Sequence, residues 1–289
     1  VNAPQFLAPD ADGVLEPHPV GLVEQSNDEY HGGPGISKSH LDAIASASPA
    51  HYWHRYLNPD REPEEPTPAK IMGTAVHSAI LEPDLFPTAC VAAPADINRR
   101  TNAGKAEWEA FLDAHKGKTI LSAEDYKTCL AIRDAVHRHP LAAGLLTGGK
   151  AEQSFYAVDQ ETGELIKCRT DYRHDSGAMI VDVKTTDDAS PAGFGKSAAN
   201  YRYTVQTAWY NGVLDAAFGE HPGDWVFLAV EKDPPYAIGV YFTEPEQLIR
   251  ASIVARRDFL RIVEHKRRGY WPDYATAPLP LALPSWSRL

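Results

Sequence analysis

Ile180-Val181-Asp182-Val183-Lys184-Thr185-Thr186 is the stretch on which the fold turns. Side chains alternate across a β-strand, so Ile180, Asp182 and Lys184 share one face and Val181 and Val183 the other. The valines suit a buried sheet face, while the carboxylate and the amine stand side by side. Alone, Asp-X-Lys is an ordinary ion pair on an exposed strand. The residues upstream change its weight. Over 165–173 the chain alternates in the same way, with Lys167, Arg169 and Asp171 on one face and Ile166, Cys168 and Thr170 on the other. His174-Asp175-Ser176-Gly177 reads as the turn of a hairpin, which sets Asp171 opposite the Asp182 region. Two carboxylates converging beside a lysine repel each other unless a cation lies between them. Glu152 opens a preceding strand, 152–158, and can supply a third carboxylate. Oxygen ligands for a hard divalent cation, with a cationic group nearby, are what phosphodiester hydrolysis needs.

Outward from the hairpin, helices are predicted over 69–81, 105–115, 122–138, 201–218 and 244–268, and strands over 225–231 and 236–242. This order of helices and antiparallel strands predicts an α/β (α+β) domain around a mixed sheet. Residues 1–35 are rich in Pro and Gly without a period and read as an irregular arm. Residues 36–289 then form one domain, its core roughly 69–268 and its tail, 269–289, Pro-rich and apolar.

An apolar content of 43% in 289 residues supports a large core. No run of 18 apolar residues exists, so no membrane span is expected, and Val1–Leu15 lacks the basic start and apolar block of a secretory signal. Cys90, Cys129 and Cys168 are too widely spaced for a disulfide framework, a zinc knuckle or a four-cysteine cluster, which fits a reduced cytoplasmic compartment. The net charge of −11, from 28 basic and 39 acidic residues, gives little general attraction to nucleic acid. A nuclease centre uses carboxylates for metal ions, however, and a basic groove can sit on an acidic body.

Glu152, Asp171 and Asp182-Val183-Lys184 together resemble the E…D…(D/E)XK pattern of the PD-(D/E)XK nucleases. Gly73-Thr74-Ala75-Val76-His77 is similar to the histidine motif of the RecB-like and RecE-like branch. Gln206-Thr207-Ala208-Trp209-Tyr210 is similar to that branch's Gln-X-X-X-Tyr motif, with Gln206 and Tyr210 on one helix face. Ile36-Ser37-Lys38-Ser39, Asn98–Lys105, Val181–Thr186 and Tyr201-Arg202-Tyr203 resemble stretches of the exodeoxyribonuclease VIII (RecE-type) nuclease domains, over roughly residues 35–289. The resemblance implies a restriction-endonuclease-like core with a two-metal site using Mg²⁺, Mn²⁺ substituting. It implies that Asp171, Asp182, His77 and the Val183 carbonyl hold metal, with Asp171 between two ions. By the same resemblance Lys184 orients or activates the attacking water and Glu152 holds a metal-bound water or a basic side chain. Gln206 and Tyr210 position the scissile region or shield the site.

Arg99, Arg100 and Lys105 form a short basic patch suited to phosphate contacts. Arg169 shares a face with Asp171 and is a candidate for a phosphate near the metals. Ser37 and Ser39 either cap a helix or hold a terminal 5′-phosphate at its start. The activity implied is 5′→3′ exonucleolysis of double-stranded DNA ends leaving 3′ tails. The implied partners are a RecT-like annealing protein and further copies of the chain in a ring-shaped tetramer. The tail residues Leu279, Leu281, Leu283 and Trp286 are candidates for the contact surface. An endonuclease on the same core and a non-catalytic DNA-binding module are the alternative expectations.

Overall fold

The alternating runs between 149 and 186 become three long strands: β6 (Gly149–Val158), β7 (Leu165–His174) and β8 (Met179–Thr186) in the full numbering of the chain. The computed structural model describes residues 5–9, 15–62, 65–219, 223–275, 277–284 and 287. Ahead of β6 lie β1 (Gln5–Pro9), β2 (Leu15–Pro19), β3 (Gly21–Val23), α1 (Asn27–Gly32), α2 (Lys38–Ser46), α3 (Pro49–Tyr56), α4 (Pro68–Leu81), α5 (Phe86–Ala89), β4 (Cys90–Ala92), α6 (Asn102–Ala114), β5 (Thr119–Leu121), α7 (Ala123–Arg138) and α8 (Pro140–Leu145). After β8 come α9 (Pro191–Asn200), α10 (Tyr203–Phe218), β9 (Asp224–Glu231), β10 (Ile238–Phe242) and α11 (Pro245–Arg268).

Six strands form the main sheet in the order β10-β9-β8-β7-β6-β3. It is mixed: β8 and β9 run parallel and the other neighbours antiparallel. Helices cover both faces, so the apolar residues of β8 are buried on both sides of the sheet. Ile180 packs with Leu41, Ile44, Val213, Leu214, Phe227 and Phe259 under α2, α10 and α11. Val181 and Val183 pack with Val76, Ile80, Phe86, Ile132 and Val136 under α4, α5 and α7. All three β8 residues are fully buried.

The arm differs from its sequence reading. Residues 21–23 pair with 154–156 as the edge strand of the main sheet. Ser26 then starts α1 with a complete capping box to Glu29. A three-residue strand between Pro-rich segments has too few residues to show a period. Helix α9 is also absent from the sequence reading, because its PAGFGKSAAN composition is that of a loop; Ser190 caps it and Pro191 opens it. No helix among the described residues is long and apolar enough to cross a membrane.

Two departures from regular sheet geometry create the site. Strands β7 and β8 pair only at Tyr172↔Val181 and Arg173↔Ile180, then diverge. Strand β6 holds one edge of β7 along its length, so the edge that β8 leaves is taken by Ile36, whose N–H donates to the Leu165 carbonyl at 2.9 Å and whose carbonyl accepts from Lys167 N at 2.9 Å. The residues before α2 are thereby wedged into the fork. The second departure is Glu152, a non-glycine residue at φ 52° within β6. Ala151 packs in the α4–α7 core, yet Phe155 and Ala157, of the same parity, pack in the opposite one. The alternation inverts at Glu152, a strained conformation of the kind that clusters at functional sites.

Candidate active site

Asp171 lies at the mouth of the fork. Its Oδ2 accepts a hydrogen bond from Val183 N at 2.8 Å, taking an amide that the opened β7–β8 ladder leaves without a strand partner. The same oxygen is 3.6 Å from His77 Nδ1. His77 comes from α4, whose Pro68 opening and Thr67 cap fix its start. The Glu152 carboxylate closes the group. Ligand atoms of His77, Glu152 and Asp171 all lie within 4.8 Å of one another.

Asp182 and Lys184 project from β8 on the side of Ile180, beneath α10, as alternation requires. Asp182 is fully buried. Its Oδ1 accepts from Gln206 Nε2 at 2.6 Å. The Lys184 ammonium stands against Oδ2, which has no other hydrogen-bond partner. Lys184 Nζ also lies 5.0 Å from the centroid of the Tyr203 ring. Tyr210, one turn beyond Gln206, is packed edge-on to Trp225 at 5.3 Å; burial, then the field of Tyr30, holds its phenol protonated.

The charges are mutually disfavoured. Burial, reinforced by Asp182, pushes the Asp171 carboxyl up to about 7. Burial and then Asp171 raise Glu152. Burial and then Lys184 lower His77, so its ring is neutral and able to ligate, and the Val183 carbonyl stands as an acceptor beside it. For Lys184, burial pulls downward but Asp182 and Asp171 outweigh it, so the amine stays charged. A divalent cation fits this donor set. One neutral imidazole and two crowded carboxylates converge, a third buried carboxylate meets only the Lys184 ammonium at its Oδ2, and a carbonyl lies alongside.

Arg169 turns its charge to Glu152. Its Nε donates to Glu152 at 2.7 Å, and its Nη1 donates to Ser154 Oγ at 2.6 Å and to the Gln25 carbonyl at 3.2 Å. The bond to Nε holds the Glu152 carboxylate in place. Ser37 is buried at the start of α2, where its Oγ meets His40 Nδ1 and Ser39 Oγ, both at 2.9 Å. Arg99 and Arg100 are exposed just before α6, and Lys105 is exposed within it. Arg99 stacks 3.4 Å above the Trp108 ring. Among the described residues, no hydrogen bond or ion pair joins these three to the carboxylates.

Several contributors were not legible as such. Ser154 stands two residues after Glu152, a spacing that signals a shared face. Gln25 acts through its carbonyl and carries no signal. Tyr203 belongs to the Tyr201-Arg202-Tyr203 stretch and follows the left-handed Arg202 at the start of α10, against the Lys184 ammonium.

Residues 37–277 match the family described as a PDDEXK-like domain of unknown function (DUF3799). The chain belongs to this family. Its fold is accordingly of the PD-(D/E)XK nuclease type, whose nucleases generally use divalent metal ions. A solved structure from Eubacterium rectale, described as a candidate exonuclease, aligns over 90% of this chain and 97% of its own, with a TM-score of 0.62 and 14% identity. At that identity the likeness concerns the fold. The structure of SSO0001 aligns over 66% of this chain and 86% of its own, at 13% identity and a TM-score of 0.29, too distant to carry an argument. No curated protein matches the sequence.

Proposed function

We propose that the protein is a Mg²⁺-dependent exonuclease that degrades double-stranded DNA 5′→3′ from its ends and leaves 3′ single-stranded tails for recombination by strand annealing. The observation that carries this reading is the convergence of His77, Glu152 and Asp171 at the fork, beside the buried Asp182–Lys184 pair. His77, Asp171, Asp182 and the Val183 carbonyl would hold the metal, with Glu152 within reach of the same centre. Bound Mg²⁺, or Mn²⁺ in its place, supplies a water of lowered pKa and a positive clamp for the phosphoryl oxygens. Lys184 keeps its proton and places a fixed cation where charge develops on the phosphorane. Gln206 holds Asp182 through Oδ1, leaving Oδ2 turned to the site. Arg169 holds Glu152 against the repulsion of Asp171.

Polarity and end dependence are supported by the start of α2. Ile36 seats it in the fork, and Lys38 lies within the field of Lys184. Ser37, exposed Ser39 and the α2 amides can take a terminal 5′-phosphate there. Arg99, Arg100 and Lys105 serve duplex phosphates further out. The enzyme works as a ring-shaped tetramer, which keeps a chain of net charge −11 on its substrate without strong general attraction to DNA. Leu279, Leu281 and Leu283, 70%, 87% and 49% exposed, offer apolar contact surface; Trp286 lies outside the described residues. The tail produced passes to a RecT-like annealing protein in the cytoplasm.

Linear duplex labelled separately at each 5′ and 3′ end, digested with and without Mg²⁺, tests this reading. The 5′ label is released first as nucleotides, only with metal, and closed circular DNA stays intact. Nicked or linearised circles would make the enzyme an endonuclease. Metal-independent loss of label, or none, would refute the assignment.

A further inference from the structure

Beside Lys184 stands a surface feature that the hydrolytic chemistry does not use. Tyr201 is 63% exposed. Its ring stacks on Tyr203, with centroids 5.8 Å apart and planes 21° from parallel. Tyr203 in turn packs against Phe194 and Phe227, each at 5.7 Å, and presents its ring to Lys184 Nζ at 5.0 Å. The aromatic stack begins in the core, passes the lysine and ends in solvent.

The backbone fixes this arrangement. Arg202, between the two tyrosines, has φ 56° and ψ 45°, a left-handed conformation that disfavours any residue with a side chain. Its guanidinium is locked by the Leu41 carbonyl at 3.2 Å, by Asp42 at 3.0 Å and by the buried Asp258. Lys38 Nζ donates to the Tyr201 carbonyl at 2.8 Å. Four side chains and a strained residue thus hold a ring that is itself largely exposed. Folding gains little from an aromatic kept in that position. A rigid, solvent-facing ring, with the Lys38 ammonium at its own carbonyl and the Lys184 ammonium against the Tyr203 ring that backs it, has the chemistry that receives a base on its face and the adjoining phosphates on its edges.

We propose that Tyr201, backed by Tyr203, is a stacking platform for a nucleobase of the strand being cleaved, next to the bond held at the metal site. The platform rests on the nuclease reading above and adds a base-binding subsite to it. Stacking on a π-face does not discriminate among bases, so this subsite sets register and grip rather than sequence preference.

The test uses duplex DNA carrying 2-aminopurine singly at each of the first three nucleotides of the 5′ strand. It is bound to the full chain carrying Asp182→Asn so that the substrate survives. At one of the three positions the fluorescence falls on binding, falls equally with Tyr201→Phe added, and does not fall with Tyr201→Ala added. In the otherwise unaltered enzyme, Tyr201→Ala raises KM about five- to hundred-fold, the range typical of losing one stacked base. Tyr201→Phe and Tyr201→Trp restore it, and melting temperature is unchanged because the ring is exposed. Fluorescence that never falls in the parent complex, or equal quenching and KM with Tyr201→Ala, overturns the platform. An enzyme that hydrolyses no DNA overturns instead the nuclease reading on which it rests.

Discussion

Asp171→Asn should make the protein more stable above neutral pH while removing its response to metal. In the folded chain, burial and then Asp182 push the Asp171 carboxyl up to about 7; in the unfolded chain it titrates near 3.9, about the ordinary aspartate value. Between those values the folded state binds more protons, so stability falls as pH rises from about 4 to about 7, and the full penalty is present above that. Three pH units correspond to a ceiling of about 4 kcal/mol. The side chain is 15% exposed, and solvent screening reduces the realised penalty to about 1–2 kcal/mol. Asparagine removes the charge and still offers an oxygen to the Val183 amide. At roughly 2–4 °C per kcal/mol for a large domain, the variant should melt about 2–8 °C above wild type at pH 8 in chelator. At pH 5, about one unit into that three-unit span, only about a third of the gap should remain. Added Mg²⁺ should raise the wild-type midpoint, by about 2.7 kcal/mol of stability at a hundred times Kd, and leave the variant unmoved. Thermal melts at the two pH values with and without metal measure all of this. A gap independent of pH, or equal metal stabilisation of both proteins, would refute the crowding argument.

Lys184→Ala should lower kcat by about 10²–10³ with calorimetric metal affinity nearly intact, as expected for loss of a charge stabiliser; lost metal affinity would make the lysine a counterion for the carboxylates. Arg169→Met should weaken metal binding and slow cleavage, because Glu152 loses its 2.7 Å partner, whereas Arg169→Lys should restore part of both; unchanged metal affinity would contradict its role as holder of Glu152. Removing the 5′-phosphate should slow digestion, and Ser39→Ala should narrow the difference between the two ends; equal rates on both would exclude a phosphate pocket at α2. Sedimentation over a dilution series should show a species near four times 31.7 kDa, and a monomer that stays on its DNA through a competitor challenge would dispose of the ring.

The 165–186 hairpin is legible because both of its strands alternate and Ser176-Gly177 punctuates them, so the approach of Asp171 to Asp182 follows from period two alone. The helix carrying Gln206 and Tyr210 is legible for the corresponding reason at period 3.6. The fork is not. Nothing in Lys167–Tyr172 says that β8 will leave after two pairs, because that depends on Ile36 arriving from 130 residues away to take its place. Nor does a glutamate announce a positive φ; glycine is the usual sign of one, and Glu152 holds it only against Arg169 and the surrounding sheet. Arg169 shows how a face can be legible while its partners are not. It sits where alternation puts it, but Ser154 and the Gln25 carbonyl, brought in by β6 and the arm, take up its donors.

The bond between Asp171 and the Val183 amide makes one backbone N–H an observer of the whole centre. Its resonance should move as the carboxylate takes up a proton or a cation, and its isotope exchange should be slow while that oxygen accepts. Asparagine at 171 should keep the amide protected and alanine should release it. A single crosspeak then reports occupancy of the centre in an enzyme that is neither turning over nor bound to DNA.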